Sequence, residues 1–192
     1  MKKRYIAAIL LLLLLAFLFM SPKPSAPVYS SPPPWPNLPK IAVYLTVVDG
    51  SGSYYVSTLS GIPEGYNVYD QSYPGWCIDC STFMERSVPH WVVLYSSLDS
   101  DLQAPLSDIY WNAINYVLNH KQGSMMEIQE AIWFFTDGFT PDGSHTDAWA
   151  MISGAQANPS FVPERGDALA IICYNAVGAL GVQNSIFEIR VP

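Results

Sequence analysis

The chain has 192 residues and carries nine Lys and Arg against sixteen Asp and Glu, a formal net charge of −7. Nucleic acids and anionic membrane surfaces are bound through clusters of Lys and Arg, so this balance argues against both as partners of the folded part. Three of the basic residues stand at the extreme N-terminus, which leaves the remainder more acidic still.

Residues 1–20 read as a secretory signal, with Lys2, Lys3 and Arg4 as the basic start and an apolar run from Tyr5 to Met20 behind it. Export to the cell surface or the extracellular space is therefore predicted. The small-residue cleavage candidate Pro24-Ser25-Ala26 is followed by Pro27, and the apolar run is slightly short of the about 20 residues that span a bilayer. A cleaved signal and an uncleaved anchor both stay open, and membrane contact is expected only through this segment. Residues 21–39 hold eight of the sixteen prolines, which predicts an extended spacer without a packed core.

Residues 40–192 are enough for one domain with a substantial core. Runs of β-branched and aromatic residues at 41–48 and 54–59, separated by Asp49-Gly50-Ser51-Gly52-Ser53, predict a hairpin. A further strand is expected at 90–95, and two closing strands at 168–174 and 185–191. Three helices are predicted between them, at 107–120, 124–136 and 146–157, the last stopped by Pro159. In the first, Tyr110, Trp111, Ile114, Val117 and Leu118 fall on one side. Strands at both ends with helices between them imply an α+β class, a β-sandwich or barrel carrying a small inserted helical subdomain.

The second helix is the best signalled. Ser124 and Glu127 have the spacing of a capping box, and Met125, Ile128, Ile132 and Trp133 recur as a buried face. Gln129 falls inside that stripe. A buried carboxamide costs a few kcal/mol unless its donors and acceptor are paired. It is either hydrogen-bonded across the core or chemically used, since a cysteine thiolate can displace ammonia from a glutamine to leave an internal thioester. Cys77 lies 52 residues upstream.

Trp76-Cys77-Ile78-Asp79, followed by Ile128-Gln129-Glu130-Ala131-Ile132-Trp133, resembles the paired signature of the thioester domains of bacterial surface adhesins. The pattern departs from that family at Trp76, where tyrosine is more usual, and at Ile128, where threonine is often found; neither change removes a reacting atom. The resemblance implies a single-use covalent binder rather than an enzyme with turnover, with Cys77 and Gln129 as the bond-forming pair. Asp79 would orient the loop or polarise the site, and Trp76 and Trp133 would shield it. The expected partner is a surface protein or another amine-bearing target. No cofactor is implied. Shielding matters because a thioester persists only where water is kept from its carbonyl, and 14% Phe, Trp and Tyr supplies apolar walls or simply core.

Cysteine parity bears on the same reading. With Cys77 in a thioester, Cys80 and Cys173 are left to form a disulfide; alternatively Cys77 and Cys80 close a small loop and Cys173 stays free as a buried hydrophobe. The Cys77-Ile78-Asp79-Cys80 spacing lacks the strand-to-helix setting of a redox motif. Three cysteines and His90, His120 and His145 give no second pair at zinc-finger spacing, so no metal is expected. No local signature supports a cysteine protease. Asp99 with Asp101, and Asp137, Asp142 and Asp147, lack the ordered spacing of a calcium loop. The rival to the covalent reading is a disulfide-stabilised structural or noncovalent adhesive domain in which Gln129 is merely hydrogen-bonded.

Overall fold

A computed structural model describes residues 35–175 and 182–192. The predicted signal, 1–20, and most of the predicted spacer, 21–39, lie outside the described residues. The last five spacer residues are described, and they pack on the domain. Leu38 is buried, and Asn37 exchanges backbone and side-chain hydrogen bonds with Asn67. The packed part of the chain thus begins before Lys40.

Six strands close an antiparallel barrel: β1 (Val43–Asp49), β2 (Tyr55–Ser60), β3 (Ser72–Cys77), β4 (His90–Ser96), β5 (Ala168–Tyr174) and β6 (Ser185–Arg190), in the spatial order β1-β2-β3-β6-β5-β4. The barrel, not a sandwich, is the form the strands take. Five of these strands follow the sequence expectation closely. Strand β3 does not, because Pro74-Gly75 reads as a turn. Both residues are tolerated for local reasons. Pairing of β3 with β6 starts at Gly75, just past Pro74, so the ladder needs no N–H from the proline. Gly75 lies opposite Tyr55, and a Cβ there would sit 2.1 Å from the Ser57 hydroxyl.

The helices follow β4 as a block: α1 (Trp111–Asn119), α2 (Met125–Asp137) and α3 (Thr146–Ala157), preceded by a 3₁₀ turn (Leu106–Asp108). Strands β4 and β5, which bracket the block, pair directly, so the chain leaves and re-enters the barrel at adjacent strands. The block is not a subdomain with its own core. Ile114, Leu118, Ile132 and Ile152 from the helices pack in one cluster with Trp76, Ala170, Ile172 and Ile186 from the outer faces of β3, β5 and β6. Tyr110 is a further correction, since it precedes α1 and is 72% exposed.

A second cluster fills the barrel with Leu45, Leu59, Val92, Leu94, Leu169, Ile171 and Phe187. Each such side chain, fully buried, contributes about 1.5–3 kcal/mol. Strand β5 is covered on both faces, which accounts for its unbroken apolar run where one-sided strands alternate. No helix among the described residues is long and apolar enough to cross a membrane.

Candidate functional site

Helix α2 is fixed at both ends. Its capping box is formed, with the Ser124 hydroxyl accepting from the Glu127 N–H at 3.2 Å and the Glu127 carboxylate accepting from the Ser124 N–H at 2.9 Å. Gly138 closes the helix in the left-handed conformation, φ 68°, with its N–H on the Trp133 carbonyl. Between these ends, Gln129, Trp133 and Asp137 recur every fourth residue and so lie along one side. That side meets the end of β3 and the loop after it.

Gln129 is fully buried. Its Oε1 accepts from the Cys77 N–H at 2.9 Å, and its Nε2 donates to the Cys77 carbonyl at 2.7 Å. The strand register explains why these backbone groups are free. Strand β2 ends its pairing with β3 at Tyr55 opposite Gly75, and alternate residues of a strand face the same edge. Cys77 therefore presents its N–H and C=O at the edge β2 has left, and the carboxamide stands in for the missing peptide group.

The Cys77 side chain is buried at the end of the barrel interior. Its thiol donates to the Asp79 carbonyl, and the Trp133 indole N–H donates to the sulfur, both at 3.1 Å. Burial pushes the thiol pKa up to about 12, with the Asp79 backbone and the Trp133 indole pulling against it. At neutral pH the group is a protonated thiol. Trp133 is half-buried, and the edges of its ring meet Tyr54 and Phe139, each at 5.6 Å between centroids.

Asp79 holds the loop. Its Oδ1 accepts from the Ser81 N–H, the Ser81 hydroxyl and the Thr82 N–H at 2.8–3.0 Å. Burial works to raise its pKa, but these hydrogen bonds outweigh it and the carboxylate is held below its ordinary range. The Asp79 and Thr82 carbonyls also accept from Nε2 of Gln183, whose Oε1 accepts from the Tyr55 hydroxyl at 2.9 Å.

The other named residues lie apart from the sulfur. Trp76 follows the alternation of β3 to its outer face, among the helices, and its indole donates to Glu188 at 2.7 Å beneath Lys121. It supports the helix packing and is not a wall around the Cys77 thiol. The expected Cys80–Cys173 disulfide is absent, and all three cysteines are free. Cys173 faces the barrel interior, where burial raises its thiol pKa, whereas Cys80 is exposed on the loop with its N–H on Asp137 at 2.6 Å. Cys173 is enclosed in the barrel and Cys80 lies on the exposed loop after β3, and no disulfide joins them. The histidines are engaged elsewhere: His90 with the Glu85 carbonyl, His120 with that of Tyr116, and His145 with Glu130.

Sequence reasoning missed Tyr54, Tyr55, Asp137, Phe139 and Gln183. Asp137 was legible as the next step of the Gln129–Trp133 spacing. Gln183 carried no periodic signal, being outside any helix or strand. A cavity of about 880 Å³ lies on the helical side between Leu98, Tyr110, Phe134 and Val162, and neither Cys77 nor Gln129 lines it. Among the described residues no group of three or more His, Cys, Asp or Glu is placed to hold a metal ion.

No family model matches the chain, and no curated protein matches it. Among solved structures it is similar to the N-terminal thioester domain of a surface protein from Clostridium perfringens, at 11% identity and TM-score 0.48, over 78% of this chain and 99% of that one. A cysteine-to-alanine variant of that domain is similar at 11% identity and TM-score 0.45, over 77% and 99%. Both are thioester domains.

The chemistry available follows from the contacts of this chain. The Cys77 N–H polarises the Gln129 carbonyl and faces the oxygen that would become negative on attack at the acyl carbon. The residue whose backbone holds that carboxamide also carries a buried thiol. Water is excluded from both groups by burial.

Proposed function

We propose that the chain is an exported or surface-tethered covalent binding module that works once, through an internal thioester between Cys77 and Gln129. In forming it, the Cys77 sulfur bonds to the Gln129 acyl carbon, the C–N bond breaks, and the thiol proton leaves with the amide nitrogen as ammonia. In capture, an amine on the target attacks that carbon, the C–S bond breaks, and a proton from the amine goes to sulfur. The product is an amide between target and module. There is no turnover.

The reading is carried by one observation: the buried Gln129 carboxamide is hydrogen-bonded at both ends to Cys77, the residue whose sulfur would displace its nitrogen.

A second reading is favoured by the same pairing. A carboxamide satisfied at both ends is also an adequate structural bridge, and the domain would then adhere noncovalently. Methylamine separates the two. The covalent reading expects wild-type protein to gain one methylamine in place of ammonia on Gln129 with release of the Cys77 thiol, and Cys77→Ala to gain none. Wild-type protein that stays unmodified supports the structural bridge.

A further inference from the structure

We infer that Gln183 is a positioning residue for this bond, holding the Asp79 carbonyl so that the closed thioester form is favoured over the open thiol. The inference rests on the covalent reading proposed above.

The Asp79 carbonyl has two buried donors. One is the Cys77 thiol at 3.1 Å, and the other is Nε2 of Gln183, which also reaches the Thr82 carbonyl at 2.7 Å. Gln183 is 4% exposed and is itself held by the hydroxyl of Tyr55, another buried residue. A carbonyl oxygen accepts two hydrogen bonds, so both donors fit together in the open form. Closing the thioester removes the thiol proton. Asp79 then loses one of its two donors, and the amide N–H of Gln183 is the one that remains.

Removing that donor therefore affects the two forms unequally. In the open form the thiol still satisfies the Asp79 carbonyl. In the closed form the half-buried carbonyl loses its last hydrogen-bond donor, which costs free energy that hydrolysis recovers. In hydrolysis, water oxygen bonds to the Gln129 acyl carbon, the C–S bond breaks, and the sulfur takes a proton, so the contact from Cys77 to Asp79 re-forms. Gln183 acts through Asp79 and does not touch the acyl group.

The test is the rate of Cys77 thiol appearance at neutral pH, measured with intact mass on the full chain. Gln183→Met removes the donor at similar volume and should raise the opening rate about tenfold, the low end for a polar group that loses its hydrogen bond. Tyr55→Phe keeps the side chain but frees the Gln183 amide, and should raise the rate a few-fold in a domain that stays folded. Thermal midpoints in a Cys77→Ala background give the structural cost of each substitution alone. Opening at the wild-type rate in both variants overturns the inference, as does a rise no larger than the fall in midpoint explains. Wild-type protein that never loses ammonia instead overturns the covalent reading beneath it.

Discussion

The side-chain amide of Gln129 occupies, at the edge of β3, the place that a neighbouring strand would take opposite Cys77. Both of its hydrogen bonds, 2.9 and 2.7 Å long, go to the backbone of that one residue. The same contact satisfies a buried polar group and ties the carboxamide to the backbone of a residue with a buried thiol. In the covalent account a structural and a chemical role are built from one pair of bonds, and substitutions at the two residues should not be equivalent.

Gln129→Ala leaves the N–H and C=O of Cys77 without partners. Each such buried group costs about 1–3 kcal/mol, so a loss of about 2–6 kcal/mol is expected. Cys77→Ala keeps the backbone that Gln129 binds and removes only the sulfur, so its cost should be smaller, about 1–2 kcal/mol for the lost apolar volume. Denaturant unfolding of the two variants checks this order. Equal losses would mean that the carboxamide is not the group completing the strand edge.

Trp133 is half-buried, with its indole N–H on the Cys77 sulfur and its ring against Tyr54 and Phe139. Trp133→Ala should admit water and speed spontaneous hydrolysis at least about tenfold, leaving a thiol at Cys77 and a carboxylate at position 129. His90→Ala should leave that rate unchanged, because the ring is occupied with the Glu85 carbonyl. Thiol appearance over time in each variant is the measurement.

Raised thiol pKa values make a pH prediction with a definite sign. Folding favours the protonated form of Cys77, whose pKa rises from 9.0 to about 12. Its contribution to stability is therefore complete below about pH 9 and is lost as pH climbs from 9 towards 12. Three pKa units correspond to about 4 kcal/mol at most. In Gln129→Ala, where the thiol stays free, stability should fall across that window more steeply than in the variant that also carries Cys77→Ala. The difference isolates Cys77 from Tyr55 and Cys173, whose pKa values burial raises in the same direction. Parallel pH profiles would contradict this assignment.

Three free cysteines, two buried in the barrel and one exposed on the loop after β3, predict indifference to reductant. The thermal midpoint should be the same with and without dithiothreitol, and alkylation at neutral pH should label exposed Cys80 well before Cys77 or Cys173. A midpoint that drops by several degrees on reduction would show a disulfide after all.

Much of this architecture is legible in the chain because local and global signals agree. The capping box at Ser124, the stripe through Ile128 and Ile132, and the β-branched runs of β1, β2 and β5 each specify an element and its buried face. Strand β3 was not legible, since Pro74-Gly75 signals a turn unless the register is known. That register places proline where no N–H is needed and glycine where a neighbouring strand leaves no room. Gln129 was legible as an anomaly, and its pairing with Cys77 followed from a motif resemblance that periodicity could not supply. The disulfide was misjudged because parity counts cysteines without regard to where each one lies, Cys173 inside the barrel and Cys80 on an exposed loop. Gln183 and Tyr55 were missed for a related reason: they reach the site through contacts 101 to 128 residues apart in sequence.

The central claim is that the Gln129 nitrogen is lost to the Cys77 sulfur. Intact mass of the purified chain under native, non-reducing conditions tests it most directly, with Cys77→Ala beside it and fragmentation locating the change. The covalent account predicts a wild-type chain lighter than its sequence by one ammonia, with residues 77 and 129 linked and Cys77→Ala at full mass. A wild-type chain at full mass, with an alkylatable Cys77 and an intact Gln129, would contradict it.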